Sequence, residues 1–146
     1  MAITNAMCNS FKQELMEAKH SFLASGGHTF KLALFLTSAT LSASTATYTN
    51  TGEVATGGGY TQGGVSLTNV NPSIDTNTAI TDFNPDITWA TSTITAGGAL
   101  IYNFTTAPNN RAVAALTFGG DKISSAGDFT VTFPPPAAGT AIIRIA

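Results

Sequence analysis

The chain has 146 residues, which is the size of a single domain built around one core. Only 10% of its residues are charged, against a typical quarter, and glycine, alanine and threonine are over-represented. The few basic residues are scattered and the formal net charge is −2, so the composition argues against a nucleic-acid partner. No apolar run approaches the roughly 20 residues of a membrane span, so no membrane partner is expected either.

A surface with so few charges must consist largely of threonine, serine, asparagine and apolar atoms. Such a surface favours association with other protein surfaces over a monomeric state in solution. The sequence has one cysteine, Cys8, so neither an intrachain disulfide nor a cysteine zinc cluster can form. We therefore expect a protein that assembles with copies of itself or with neighbouring proteins and that needs no cofactor.

The first element is a predicted amphipathic helix from Asn5 to about Ala24, where apolar side chains recur every three to four residues. The members of this stripe are Met7, Phe11, Leu15, Ala18 and Phe22. Thr4 or Asn5 is expected to cap its first amides, and Gly26 with Gly27 to end it. Two alternatives stay open, because the stripe can pack in the core of its own chain or against the helix of another subunit.

After Gly27 the apolar period changes to two, or to short runs between turn residues, which is typical of antiparallel strands. The predicted strands are His28–Thr37, Val65–Val70, Ala79–Phe83, Ile87–Thr95, Ala99–Thr105, Arg111–Phe118, Gly127–Phe133 and Ala141–Ile145. The prediction is a mainly β fold, an antiparallel β-sandwich with jelly-roll as one form, carrying one N-terminal α-helix. Residues 1–146 then form a single domain, with the helix in 1–26 and the sandwich in 27–146.

Turn residues separate several of these strands. Gly97–Gly98 and Pro108–Asn110 are predicted to be turns. Pro134–Pro136 removes three amide donors in succession, so we expect it to cross an edge of the sandwich before the last strand.

The segment from Thr37 to Gly64 is weakly hydrophobic and rich in serine, threonine and glycine. It is predicted to be a long excursion with little core of its own, and we expect it to reach a neighbouring protein. Its tyrosines Tyr48 and Tyr60 join four residues of the helical stripe as predicted interface residues. The full set is Met7, Phe11, Leu15, Phe22, Tyr48 and Tyr60.

Two groups of polar residues are candidates for metal binding or catalysis. His20 and His28 suit a metal site or a general base, but no second pair of ligands lies at metal spacing. The carboxylates Asp75, Asp82 and Asp86, with neighbouring asparagines, suit calcium, but they lack an EF-hand pattern and are better explained as turn formers. No nucleophile elbow, zinc-protease, Walker or dinucleotide motif occurs. The sequence therefore predicts a non-enzymatic protein without catalytic, cofactor or metal residues.

The aromatic residues allow a second functional class. Trp89 and five phenylalanines would form a carbohydrate-binding platform only if several of them faced solvent on one patch; the phenylalanines are Phe83, Phe104, Phe118, Phe129 and Phe133. Each falls in a predicted strand at an apolar position, so packing in the core is the expected arrangement. A glycan-binding protein would need Trp89, or Tyr60 and Tyr102, to be exposed.

Several stretches together resemble a family of small virion proteins of tailed phages, over nearly the whole chain. These are AITNAMCNSFKQELMEAKHSF, GGHTFKLALF, TDFNPDITWATSTITAGGALIYN, NRAVAALTFGGDK and the closing AIIRIA. The resemblance implies a virion structural protein made in the host cytoplasm, and this size class includes capsid cement, or decoration, proteins that cap capsomer junctions. It implies a homo-oligomer, with a trimer favoured, bound to the major capsid protein or a neighbouring virion protein. A neck or tail component, such as an adaptor or tail-tube element, and a host-glycan-binding module are the alternatives.

Overall fold

The computed structural model describes residues 2–106 and 109–146. One α-helix, α1, spans Asn9–Met16, and a 3-10 turn spans Phe104–Thr106. The strands are β1 (Ala6–Met7), β2 (Phe30–Phe35), β3 (Val65–Ser66), β4 (Ser73–Asp75), β5 (Thr78–Thr81), β6 (Ile87–Ser92), β7 (Thr95–Asn103), β8 (Arg111–Ile123), β9 (Gly127–Val131) and β10 (Ile143–Ile145).

The strands form three antiparallel sheets around a shared interior. The largest sheet has the order β1-β8-β7-β2-β3, the second β10-β5-β4, and the third pairs β6 with β9. All three contribute to one apolar cluster, which includes Leu34, Ile101, Ile143 and Phe129. The mainly β, antiparallel class with one α-helix is thus confirmed, while a jelly-roll strand order stays a prediction.

Each of the eight predicted strand regions overlaps an observed strand. The two that sequence periodicity missed, β1 and β4, have two and three residues and are too short to show alternation. Of the predicted turn at Pro108–Asn110, Pro108 lies outside the described residues.

The predicted turn at Gly97–Gly98 is wrong, because both glycines lie within β7. A Cβ on Gly98 would come 2.4 Å from the carbonyl oxygen of Leu116, and one on Gly97 would come 2.4 Å from Oγ1 of Thr37. These glycines therefore permit close approach of neighbouring backbone rather than reversal of the chain.

The helix is much shorter than predicted. It ends at Met16, where Ala18 adopts a left-handed backbone with φ of 56°. The amide of Ala18 donates to the Leu15 carbonyl and that of Lys19 donates to the Glu14 carbonyl, which is the Schellman arrangement of a helix end. The assignment of residues 1–26 to one helix is therefore wrong, since the chain turns eight residues before Gly26.

The beginning of the helix also differs from the prediction. Cys8 occupies the N-cap position, and its side chain makes no capping hydrogen bond. Asn5 instead accepts a hydrogen bond from the amide of Thr117 through Oδ1, at 2.6 Å. Since β1 pairs with β8 in the same region, the N-terminal segment is fastened to the main sheet before α1 begins.

The segment from residue 37 to 64 packs against its own sandwich. Its apolar side chains Ala39, Leu41, Val54 and Tyr60 are buried. Backbone hydrogen bonds join it to β2, where the amide of Val54 donates to the Leu34 carbonyl, and to β8 and Ile3 through isolated bridges. The expectation that this segment is a long excursion from the sandwich is therefore wrong, because its apolar side chains join the shared core.

Candidate functional site

The predicted interface residues divide between the core and the surface. Phe11, Phe22 and Tyr60 are at most 7% exposed, so their side chains are covered by their own chain. Met7, Leu15 and Tyr48 are partly buried. The proposal that all six face another subunit is therefore wrong for the three buried aromatics.

The N-terminal stripe packs within its own chain. The ring of Phe11 meets that of Phe22 edge to face, with centroids 5.9 Å apart, and Phe22 stacks on Phe30 of β2 at 4.3 Å. Met7 pairs with Ala114 of β8. Of the two alternatives left open for this stripe, the structure supports intramolecular packing.

Tyr48 and Tyr60 meet at a buried carboxylate. Glu53 is 5% exposed, and it accepts hydrogen bonds from the Tyr48 hydroxyl at 2.6 Å and from the Tyr60 hydroxyl at 2.7 Å. The backbone amide of Gly63 donates to the same carboxylate at 2.7 Å. Burial, followed by the hydrogen bond to Glu53, raises the pKa of both tyrosines, so both hydroxyls remain donors at neutral pH. This cluster fastens the 37–64 segment to the sandwich.

The two histidines belong to a second polar cluster, beside α1. Glu14 accepts from Nε2 of His20 at 2.7 Å and from the Arg111 guanidinium at 2.8 Å. Nδ2 of Asn103 lies 3.0 Å from Nδ1 of His20 and 2.8 Å from Nδ1 of His28. Because an amide nitrogen can only donate, both Nδ1 atoms accept, and neutral His20 carries its proton on Nε2.

This arrangement disfavours a charged His20. Burial lowers its pKa, against the opposing influence of Glu14, and a proton on Nδ1 would face the Asn103 amide that now donates to it. The network therefore holds a neutral imidazole in the core and fastens α1 to β8 through Glu14 and Arg111.

We expect acidification to destabilise the protein through His20. An unfolded histidine has a pKa of about 6.5, so below that pH the unfolded chain takes up a proton that the folded chain does not. The free energy of unfolding should then fall by up to about 1.4 kcal/mol per pH unit until the lowered folded pKa is reached. Urea unfolding of the native protein and of His20→Gln between about pH 7 and about pH 5 measures this slope. Equal slopes in the two proteins would contradict the assignment.

Cys8 and the three aspartates that sequence analysis considered for calcium have structural roles. Burial raises the pKa of Cys8 to about 11, so its thiol is protonated at neutral pH. Asp75, Asp82 and Asp86 each accept a hydrogen bond from a backbone amide, those of Ala138, Phe83 and Phe133 respectively. Among the described residues no group of three or more histidine, cysteine or acidic side chains is placed to hold a metal ion.

The aromatic platform required for glycan binding is not formed. Trp89, Tyr60 and Tyr102 are 7%, 2% and 1% exposed. Their rings contribute to the core, where Trp89 contacts both Tyr60 and Phe129. These residues therefore offer no exposed stacking surface to a sugar.

An apolar concave surface lies where the three-stranded sheet meets α1. We call it the β5–β10 groove, and it has a volume of about 170 Å³. It is lined by Leu15, Phe22, Pro72, Ala79, Ile80, Thr81, Ile143 and Ile145. Leu15 and Phe22, two of the predicted interface residues, are thus brought together at this surface.

Exposed isoleucines continue the apolar surface across the sheet. Ile74 of β4 lies opposite Ala79 of β5, which lies opposite Ile145 of β10, so the three side chains share one face. Ile74 is 71% exposed and Ile145 is 53% exposed. Periodicity did not reveal this row, because β4 has only three residues and the pairing of β10 with β5 joins distant parts of the sequence.

The chain matches no known protein-family model, no curated protein and no solved structure. No helix among the described residues has the length and apolar character needed to cross a membrane.

Proposed function

We propose that this protein is a non-enzymatic structural component of a phage particle, a capsid cement protein that binds as a homo-oligomer between capsomers. The observation that carries the proposal is the apolar row of Ile74, Ala79 and Ile145 beside the β5–β10 groove. On a chain in which only 10% of residues are charged, such a row favours burial against protein over exposure to water.

The buried polar clusters support an assembly role over a catalytic one. Glu14 and Glu53 are both buried, and their carboxylates are bound by side chains of the same chain. The chemistry of an active site would require groups that reach a substrate in a cleft. From the resemblance to small virion proteins we infer that this assembly takes place on a phage particle.

A cement protein stabilises a shell because it binds the assembled lattice, and the free energy of attachment adds to the stability of the shell. It therefore needs an extensive, sparsely charged surface and a rigid body. The fastening of the N-terminal segment and of residues 37–64 to the sandwich is consistent with such a rigid body.

A cryo-EM map of the particle produced by the phage whose genome encodes this chain tests the proposal. We expect hundreds of copies distributed over the head, at junctions between capsomers. Tens of copies or fewer, confined to one vertex or to the tail, would overturn the cement role in favour of a neck or tail component. A particle without the chain would overturn the virion role itself.

A further inference from the structure

We propose that Asn103 is a proton-operated switch: when His20 takes up one proton, the side-chain amide of Asn103 rotates and releases the 3-10 turn at Phe104–Thr106. The inference goes beyond an assembly role, because it assigns to the fold a conformational response to acid.

A single buried amide joins the two histidines of the chain. Asn103 ends β7 and is 0% exposed, and its Nδ2 lies 3.0 Å from Nδ1 of His20 and 2.8 Å from Nδ1 of His28. A side-chain amide carries two N–H donors, so Asn103 can donate to both rings at once. The Nδ1 atoms of both rings are thereby held unprotonated, and Asn103 keeps both hydrogen bonds only while they remain so.

The oxygen of the same amide holds the turn that follows β7. Oδ1 of Asn103 accepts from the backbone amide of Thr105 at 3.1 Å. Since a backbone N–H can only donate, this contact fixes which side of the amide faces the histidines. The Thr105 hydroxyl also accepts from the Thr29 amide at 2.7 Å, and the Thr106 hydroxyl accepts from the Arg111 amide at 3.0 Å. The turn therefore connects the end of β7 to the beginning of β8 and to the residue before β2.

The charged and titratable groups around His20 come from three other parts of the fold. Glu14 of α1 accepts from Nε2 of His20, Arg111 of β8 binds the other oxygen of that carboxylate, and His28 lies on the far side of Asn103. Burial lowers the pKa of His20 most, His28 and Arg111 lower it further, and Glu14 raises it. The ring is otherwise surrounded by uncharged aromatic side chains, those of Phe11, Phe22 and Phe30. Because Nε2 already carries a proton, the added proton goes to Nδ1, at a pH below the value of about 6.5 of a free histidine.

The rotation requires one proton and no other reactant. A proton on Nδ1 of His20 meets an N–H of Asn103, so two donors face each other. Rotation of the amide by about 180° brings Oδ1 to the histidines, where its two lone pairs can accept from both rings. His20 donates the new proton. His28 donates after its own proton moves from Nε2 to Nδ1, a change of tautomer that leaves this partly exposed ring neutral. Nδ2 of Asn103 then faces the Thr105 amide, which loses its acceptor, and the turn opens.

NMR of the native protein with labelled nitrogen tests the switch, because it observes the two nitrogens of each ring separately. We expect the Nδ1 atoms of His20 and His28 to become protonated with one shared midpoint, below about pH 6.5. The side-chain signals of Asn103 should shift with that midpoint, and the backbone amide of Thr105 should lose its protection from hydrogen exchange. Circular dichroism recorded alongside shows that the chain remains folded.

Replacing Asn103 with aspartate removes the need for rotation. A carboxylate can accept from protonated Nδ1 atoms through one oxygen and from the Thr105 amide through the other. In Asn103→Asp we expect His20 to be protonated at a pH at which the native ring is still neutral, while the Thr105 amide stays protected throughout. Asn77→Asp is the matched control, since Asn77 is exposed in the turn between β4 and β5, and its histidines should titrate as in the native protein.

Any of three results with the native protein would overturn the inference. The first is a Thr105 amide that stays protected while His20 titrates, and the second is a separate midpoint for each histidine. The third is a His20 that remains neutral until the whole chain unfolds. These measurements need no variant, so they decide the question even if Asn103→Asp does not fold, and none of them bears on the cryo-EM test of the assembly role.

Discussion

Truncating Phe30 to alanine will lower the free energy of unfolding by about 3–5 kcal/mol, the range for a large buried aromatic. The Phe30 side chain is fully buried in β2. It stacks on Phe22 with ring centroids 4.3 Å apart and also contacts Phe83 at 5.8 Å. The cavity would therefore open between β2 and the segment after α1, where neither neighbour can readily collapse. Urea unfolding measures the loss.

The matched control for that substitution is Phe104→Ala. Phe104 is 44% exposed, and its ring lies 4.2 Å from the Lys31 ammonium. Removing it should cost about 1 kcal/mol or less, since a cation–π contact at an exposed site contributes about 0.5–1 kcal/mol. A loss at Phe30→Ala as small as the control's, about 1 kcal/mol or less, would show that Phe30 does not hold the core together.

Replacing Glu53 with alanine will weaken the attachment of the segment from residue 37 to 64 to the sandwich. The substitution leaves the hydroxyls of Tyr48 and Tyr60 and the amide of Gly63 without their acceptor. An unsatisfied buried donor costs about 1–3 kcal/mol, so we expect a total loss of about 3 kcal/mol or more. Hydrogen exchange should show faster exchange of amides in 37–64 than in β7 or β8.

Two variants control the Glu53 experiment. Glu53→Gln keeps one acceptor oxygen and should lose less stability than the alanine variant. Glu17→Ala removes an exposed carboxylate and should leave the unfolding midpoint unchanged. Unaltered exchange of 37–64 in Glu53→Ala would mean that the carboxylate does not hold this segment.

The strands were predictable because their alternation reflects burial on one face. Phe129 and Val131 of β9 are buried, whereas the residues that alternate with them, Asp128 and Thr130, are exposed. The period of two is therefore a direct consequence of the pleat. Short strands such as β4 offer too few residues for any period to appear.

The helix length was not predictable from periodicity. Phe22 falls in phase with the helical stripe, and it is indeed buried, but it reaches the core from the irregular chain after α1. The helix ends through backbone hydrogen bonds at Ala18, a residue with high helix propensity and no glycine-like signal. The apolar period therefore predicts that Phe22 is buried, but it does not predict whether the backbone at Phe22 is helical.

The polar clusters and the groove depend on contacts between distant residues. Glu14 meets Arg111, and His20 meets Asn103, across a large part of the sequence. The residues around Glu14 in the sequence do not indicate which distant side chain it contacts. The isoleucine row likewise requires β10 to lie beside β5, which only the strand order reveals.

The pairing of β1 with β8 also determines when a newly made chain can fold. Ala6 pairs with Ala115, so the first strand waits through most of translation for its partner to leave the ribosome. β10 follows every other strand in the chain, and its pairing with β5 completes the sheet that carries the isoleucine row. The three-stranded sheet is consequently complete only once synthesis has passed β10.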